Sequence, residues 1–176
     1  ATEYDAVITA WKEKRKFDLV RPTTLIKRRG KGKEKITTYG GPYQGLKEIR
    51  SRDFESYHRV MPHSEYPSGS GCICISVAQY ALKYLQDRHG LYLDDEIVFE
   101  LEFKKGSSLN EPGVTPKEDI KVNIYGFEGL YKLCGESRLW GGMHFTASID
   151  GSYELCQGIG EKGYEYVIGL LNEEPF

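Results

Sequence analysis

Three clusters of basic, glycine and hydroxyl residues stand at the ends of predicted elements, and each has the chemistry to hold an oxyanion. The first is Lys14-x6-Arg21-Pro22. Its lysine falls in the last turn of a helix and its arginine just beyond, where the helix dipole favours cations and Pro22 directs the exit of the chain. The second is Tyr66-Pro67-Ser68-Gly69-Ser70-Gly71, at the mouth of a helix that the apolar pattern starts near Cys72. Glycines admit a ligand close to the backbone, first-turn N–H groups point outward, and two hydroxyls add donors. The third is Ser137-Arg138-x5-His144, with Gly141 and Gly142 in between. Arg138 offers a planar, permanently charged fork, and His144 a ring nitrogen able to bond a metal or a phosphorus centre. Each cluster alone has an ordinary explanation as a helix cap or helix end. Together they predict one oxyanion-binding catalytic site.

In this order the three clusters resemble the signature of the vanadium-dependent haloperoxidases and their relatives, the type 2 phosphatidic acid phosphatases. The match runs from Lys14 to His144, and the segment Ser107–Gly113 resembles the haloperoxidases rather than the phosphatases. The resemblance implies a mainly α fold, the catalytic half of a haloperoxidase-type helical bundle. It implies vanadate as cofactor, with phosphate able to occupy the same site, and hydrogen peroxide and halide as reactants giving hypohalous acid. Position by position, it implies that Lys14, Arg21 and Arg138 neutralise vanadate oxygens with help from the Ser68 hydroxyl and the Gly69 amide. His144 would bond the metal, and Lys14 would also polarise peroxide.

The pattern departs from the family at three places. Ser70 stands where the family has a histidine acting as acid-base catalyst, and a serine hydroxyl donates a hydrogen bond but takes up no proton near neutral pH. His63, seven residues earlier beside the Pro67–Gly69 loop, is expected to supply part of that function. Ser148, four residues after His144, stands where many relatives carry an aspartate that orients the histidine, so the second ring nitrogen of His144 has no partner named by the sequence. Finally, family members are much longer and place further helices before the first motif. Residues 1–176 are therefore expected to be a single catalytic domain, one piece of a processed or two-chain protein whose second chain or N-terminal fragment supplies those helices.

The elements that must position these residues follow from apolar spacing. Tyr4, Val7, Ile8, Trp11 and Phe17 recur at helical intervals against Lys12, Glu13, Arg15 and Lys16, predicting an amphipathic helix from Glu3 to Phe17. The basic run Lys27–Lys35 and the segment Thr37–Gln44, with Gly40, Gly41 and Pro42, predict a long irregular, solvated connection. Ile73, Val77, Tyr80, Ala81, Tyr84 and Leu85 predict a helix over Cys72–Gln86, fed directly by the Pro- and Gly-rich loop before it. Alternation over Glu96–Phe103 predicts a short strand, part of one small β-hairpin. Thr115, Pro116 and Glu118 have the form of a helix start running to Leu133, and Asp150 is placed to cap a final helix.

Bulk properties limit the remaining classes. A formal net charge of -2 gives no global bias toward nucleic acid, and the basic run lacks interleaved aromatics, so no nucleic-acid partner is expected. No apolar stretch approaches the ~20 residues needed to span a bilayer, and no signal-peptide pattern opens the chain, although a start at Ala1 points to processing. The four cysteines form no zinc-ligand spacing and are read either as two disulfides in a secreted protein or as four thiols in a reducing, cytoplasmic one. Two other functions fit the same pocket. One is phosphomonoester hydrolysis with His144 as nucleophile; the other is a non-catalytic relative that keeps only the oxyanion pocket.

Overall fold

The computed structural model describes residues 1–41, 43–93 and 95–172. Six α-helices carry the fold: α1 (Thr2–Phe17), α2 (Pro22–Arg28), α3 (Gly69–His89), α4 (Gly126–Trp140), α5 (Thr146–Cys156) and α6 (Ile159–Asn172). Two antiparallel ribbons complete it: β1 (Lys35–Tyr39) with β2 (Leu46–Arg50), and β3 (Ile97–Phe103) with β4 (Ile120–Tyr125). The expected mainly α architecture is thus found, with two small strand pairs rather than one.

Helix α3 is the axis of the bundle, and α1, α4, α5 and α6 pack around it. The core is built from Ala6, Ala10, Cys72, Ile75 and Cys156, with Tyr131, Tyr153, Leu155 and Ile159 packed against it. Small side chains let the helices approach closely, and α6 is the extreme case. A Cβ at Gly160 would lie 2.1 Å from the Ser76 carbonyl oxygen on α3. Disulfides Cys72–Cys156 and Cys74–Cys134 tie the first turns of α3 to α5 and α4, so the sulfurs are paired, the first of the two readings of the cysteines.

Helix α1 buries Thr2, Ala6, Ala10 and Lys14, a stripe at i, i+4 spacing, while Tyr4 and Ile8 are 75% and 65% exposed. The large apolar residues that marked it as amphipathic lie away from the core of this chain. Three segments differ from the sequence expectation. The connection after Lys27 contains the β1–β2 ribbon, in which Ile36 faces Ile49 and Lys35 pairs with Glu48 across the strands; Pro42 lies outside the described residues. No helix starts at Thr115: its hydroxyl donates to Glu111 and its amide to the Glu111 carbonyl, so the presumed cap is already engaged. The alternating Ile120, Val122 and Ile124 then pair with β3 before α4 begins at Gly126. Asp150 lies inside α5 instead of capping a helix, and the last apolar run is split into α5 and α6 at Gln157 and Gly158, whose φ of 81° favours glycine.

Candidate oxyanion site

The last turn of α1 delivers Lys14 into the base of a loop formed by residues 63–68. Lys14 is 3% exposed, and its Nζ donates to the carbonyl oxygens of Ser64 (2.7 Å) and Glu65 (3.4 Å). Beyond α1 the chain runs beside the same loop, because the Leu19 amide donates to Ser64 Oγ and the Glu65 amide to the Leu19 carbonyl. This zipper carries Arg21 into the site, where Pro22 starts α2 at the position a proline tolerates best.

Arg21 is the hub. Its Nε donates to the His63 carbonyl (3.3 Å), Nη1 to the Met143 carbonyl (3.0 Å) and Nη2 to the Ser64 carbonyl (3.3 Å). Nη1 also lies 3.1 Å from His144 Nε2, and Nη2 3.1 Å from His63 Nδ1. A guanidinium has only donors, so His144 Nε2 is the acceptor in its contact. His63 Nδ1 stands between Arg21 Nη2 and the Ser64 carbonyl, 3.1 Å from each, accepting from the first in one tautomer and donating to the second in the other.

His144 Nδ1 lies 2.9 Å from Glu65 Oε1, which also accepts the Phe145 amide at 2.9 Å, while Glu65 Oε2 accepts the Ser148 hydroxyl at 2.5 Å. Glu65 is therefore the orienting carboxylate for His144, supplied from the loop before Pro67 rather than from position 148. It fixes the Nδ1–H tautomer and leaves the Nε2 lone pair for another partner. Burial would raise the Glu65 carboxyl, but the hydrogen bonds from His144, Ser148 and Phe145 outweigh it, and the group is held below the ordinary glutamate value. Burial, with Arg21 and Lys14 beside it, pushes His144 below the usual imidazole value in spite of Glu65. His63 moves down for the same chief reason, burial, aided by the nearby cations. The site thus holds an ionised Glu65 and two neutral imidazoles.

Lys14 is lowered from 10.5 to about 8 by burial and by Arg21, and Arg21 is itself lowered by burial. Among the described residues neither cation makes a salt bridge with a carboxylate. Two buried cations against one buried carboxylate leave a local excess of positive charge, an arrangement that costs energy until an anion meets it.

The second cluster adds donors at the N-terminus of α3. Ser68 is fully buried and caps the helix by accepting the Gly71 amide at 3.1 Å, which leaves its hydroxyl hydrogen free to donate. Gly69 opens the helix next to Lys14, whose Cε would lie 4.0 Å from a Cβ placed there. Ser70 occupies the first turn, half-buried. Arg138 is less closely drawn in: its Nε donates to Ser137 Oγ, and among the described residues it bonds none of Lys14, Arg21 or His144. Of the residues expected at the site, the structure joins Lys14, Arg21, His63, Ser68, Gly69 and His144 around one loop. It adds Glu65, which the sequence reading missed. The only sequence sign of Glu65 was an acidic residue directly before Tyr66-Pro67 and adjoining His63-Ser64.

The donor set suits an oxyanion: two buried cations, a capping hydroxyl, a helix N-terminus and a neutral imidazole nitrogen. Among the described residues no group of three or more His, Cys, Asp or Glu side chains could hold a metal cation, and no helix is long and apolar enough to cross a membrane. A family model described as the VCPO second helical-bundle domain matches residues 1–173. The structure is similar to that of a holo-type bacterial vanadium-dependent chloroperoxidase, with a TM-score of 0.87 and 32% identity over 98% of this chain and 35% of that one. The apo-type bacterial enzyme gives 0.85 and 34% over 96% of this chain and 35% of that one. A bacterial vanadium-dependent iodoperoxidase, at 19% identity and a TM-score of 0.54 over 91% of this chain and 30% of its own, shares the fold. No curated protein sequence matches the chain. The chain spans about a third of the length of these structures, and it belongs to the vanadium-dependent haloperoxidase family as a VCPO second helical-bundle domain.

Proposed function

We propose that this chain is the catalytic domain of a haloperoxidase that binds vanadate and oxidises halide with hydrogen peroxide. The observation that carries this reading is the pair of buried cations without a carboxylate partner among the described residues, Lys14 and Arg21, beside a Glu65-oriented His144 whose Nε2 is contacted only by Arg21 Nη1 among them. The chloroperoxidase likeness over nearly the whole chain supports it.

In this reading Lys14, Arg21 and Arg138 would balance the charge of vanadate, the Ser68 hydroxyl and Gly69 amide would donate to it, and His144 Nε2 would bond the metal. Bound vanadate supplies the electrophilic centre at which hydrogen peroxide becomes able to oxidise halide. Vanadate at Nε2 would take the place of the Arg21 Nη1 contact, leaving that donor for the anion's oxygens. Glu65 would keep the imidazole in register. His63, neutral and bonded to Arg21, is the group that can hold and release a proton; Ser70 donates only. The exposed Tyr4 and Ile8 of α1 fit a further set of helices, supplied by an N-terminal fragment or second chain. The two disulfides support an oxidising, extracellular location.

The test uses the full-length protein loaded with vanadate. Peroxide- and bromide- or chloride-dependent halogenation of an indicator phenol is expected, lost in His144→Ala and depressed in His63→Ala. Unchanged activity in the latter would remove His63 from the chemistry. Hydrolysis of a phosphomonoester without halogenation would replace the proposal by the phosphatase reading, and vanadate binding without either activity by a non-catalytic one.

A further inference from the structure

A second cleft, of about 950 Å³, lies between the end of α4 with Gly141 and Gly142, the β1–β2 ribbon and residues 53–58, and neither Arg21 nor His144 lines it. This volume falls in the range of small-molecule sites. Tyr39, Phe54, Tyr57 and Trp140 wall it, and the Tyr39 and Tyr57 rings stand 6.1 Å apart. Glu111 also lines it. This residue is 6% exposed, and its Oε1 is buried with no hydrogen-bond partner among the described residues.

The carboxylate is held in place rather than loose. Its Oε2 accepts the Thr115 hydroxyl at 3.1 Å, the Glu111 amide donates to Ser108 Oγ at 3.2 Å, and the Val114 and Thr115 amides return to the Glu111 carbonyl. Residues 106–116 are laced together around it through Gly106, Ser108 and Gly113. The other charges of the cleft are engaged on the rim: Glu55 with Lys27 at 2.5 Å, Asp53 with Arg52 at 3.7 Å, and Lys47 with Gln44 at 3.5 Å. An unsatisfied carboxylate oxygen in a buried setting is costly, and a cationic donor is what relieves it. Tyrosine and tryptophan faces attract the same kind of group.

We propose that this cleft is a binding site for an organic ammonium with an apolar body, its nitrogen donating to Glu111 and its body lying among Tyr39, Tyr57 and Trp140. The site is separate from the oxyanion site and does not depend on vanadate. Lying against the turn that leads from Arg138 to His144, it places such a ligand beside the segment that carries both.

The test is calorimetric titration of the full-length protein, without vanadate, using phenethylammonium, phenethyl alcohol and phenylacetate as probes of one shape and three charges. The ammonium is expected to bind roughly tenfold or more tightly than the alcohol, with phenylacetate weakest. Glu111→Gln should erase the preference of ammonium over alcohol, while Trp140→Leu, at an exposed wall position, should weaken both. Equal binding of ammonium and alcohol, tighter binding of phenylacetate, or a preference that survives Glu111→Gln would overturn the proposal. Should Glu111→Gln fail to fold, an unchanged ammonium affinity in Trp140→Leu would overturn it equally. Vanadate affinity is unaffected by these outcomes, so the two sites are judged separately.

Discussion

Substituting Glu65 by glutamine tests the logic of the oxyanion site without changing its shape. The carboxylate accepts three hydrogen bonds, from His144 Nδ1 (2.9 Å), the Phe145 amide (2.9 Å) and the Ser148 hydroxyl (2.5 Å), and it is 2% exposed. Glutamine can leave its oxygen toward His144 and Phe145 and turn its amide nitrogen toward Ser148, whose hydroxyl can reverse and accept. All partners are kept, but three charge-assisted bonds become neutral ones. At about 1 kcal/mol each, the folded state loses roughly 3 kcal/mol. The buried cations lose the nearest counter-charge among the described residues as well. A lost orienting partner lowers affinity at its ligand by about 10- to 100-fold, so vanadate binding should fall by that factor. Chemical denaturation gives the stability term and a vanadium NMR titration the affinity. Ser148→Asp alone should also be harmful, because it sets a second carboxylate against Glu65. In the Glu65→Gln background the same Asp restores a negative charge near His144, and affinity should recover. A Glu65→Gln protein with wild-type stability and vanadate affinity within about twofold would refute the reasoning.

The remaining predictions concern charge, packing and cross-links. Because Lys14 falls from 10.5 to about 8 on folding, the unfolded chain binds more protons between those values, and stability of the vanadate-free protein should rise with pH across that window. The rise is worth about 3 kcal/mol, and a Lys14→Met variant followed by denaturant melts at pH values within that window should lack it. Gly160→Ala should destabilise by about 1–3 kcal/mol through overpacking, since its methyl meets the Ser76 carbonyl, which no side-chain rotation can clear. A thermal melt showing no loss would mean that α6 shifts freely on α3. Reducing Cys74–Cys134, which closes 60 residues, should cost about 4 kcal/mol by loop entropy, and the mass-verified reduced protein should melt at correspondingly lower denaturant.

The buried cations Lys14 and Arg21 and His144 were legible in the sequence because each stood at an element end, where a charge has no routine task beyond meeting a dipole. Glu65 was not legible. It is 79 residues from His144, in a loop with no periodicity, and the two regions meet only in the fold, where Arg21 bridges the His63, Ser64 and Met143 carbonyls and the Ser68 amide donates to the Ser148 carbonyl. The helix that carries Lys14 and the one that follows Ser68 were legible from apolar spacing. The face that α1 buries was not, since close helix approach selects Ala6 and Ala10 while the larger apolar side chains point elsewhere. The strand β4 was obscured by a helix-start pattern at Thr115, whose hydroxyl is taken by Glu111, a partner that only the folded loop supplies.

The two disulfides bear on survival as well as on rigidity. All four cysteines are already at the disulfide level, and both cross-links grip the first turns of α3, beside the anion cradle. Under the proposed halide oxidation a hypohalous oxidant would form a few residues away, and free thiols would meet it first, because thiolates climb the oxidation ladder readily and past its early rungs cannot return. Here that vulnerability has been removed from the chain, leaving Met61 and Met143 as its only thioethers. Of these, Met143 supplies the carbonyl that holds Arg21, so sulfoxide at Met143 would mark self-inflicted damage closest to the site.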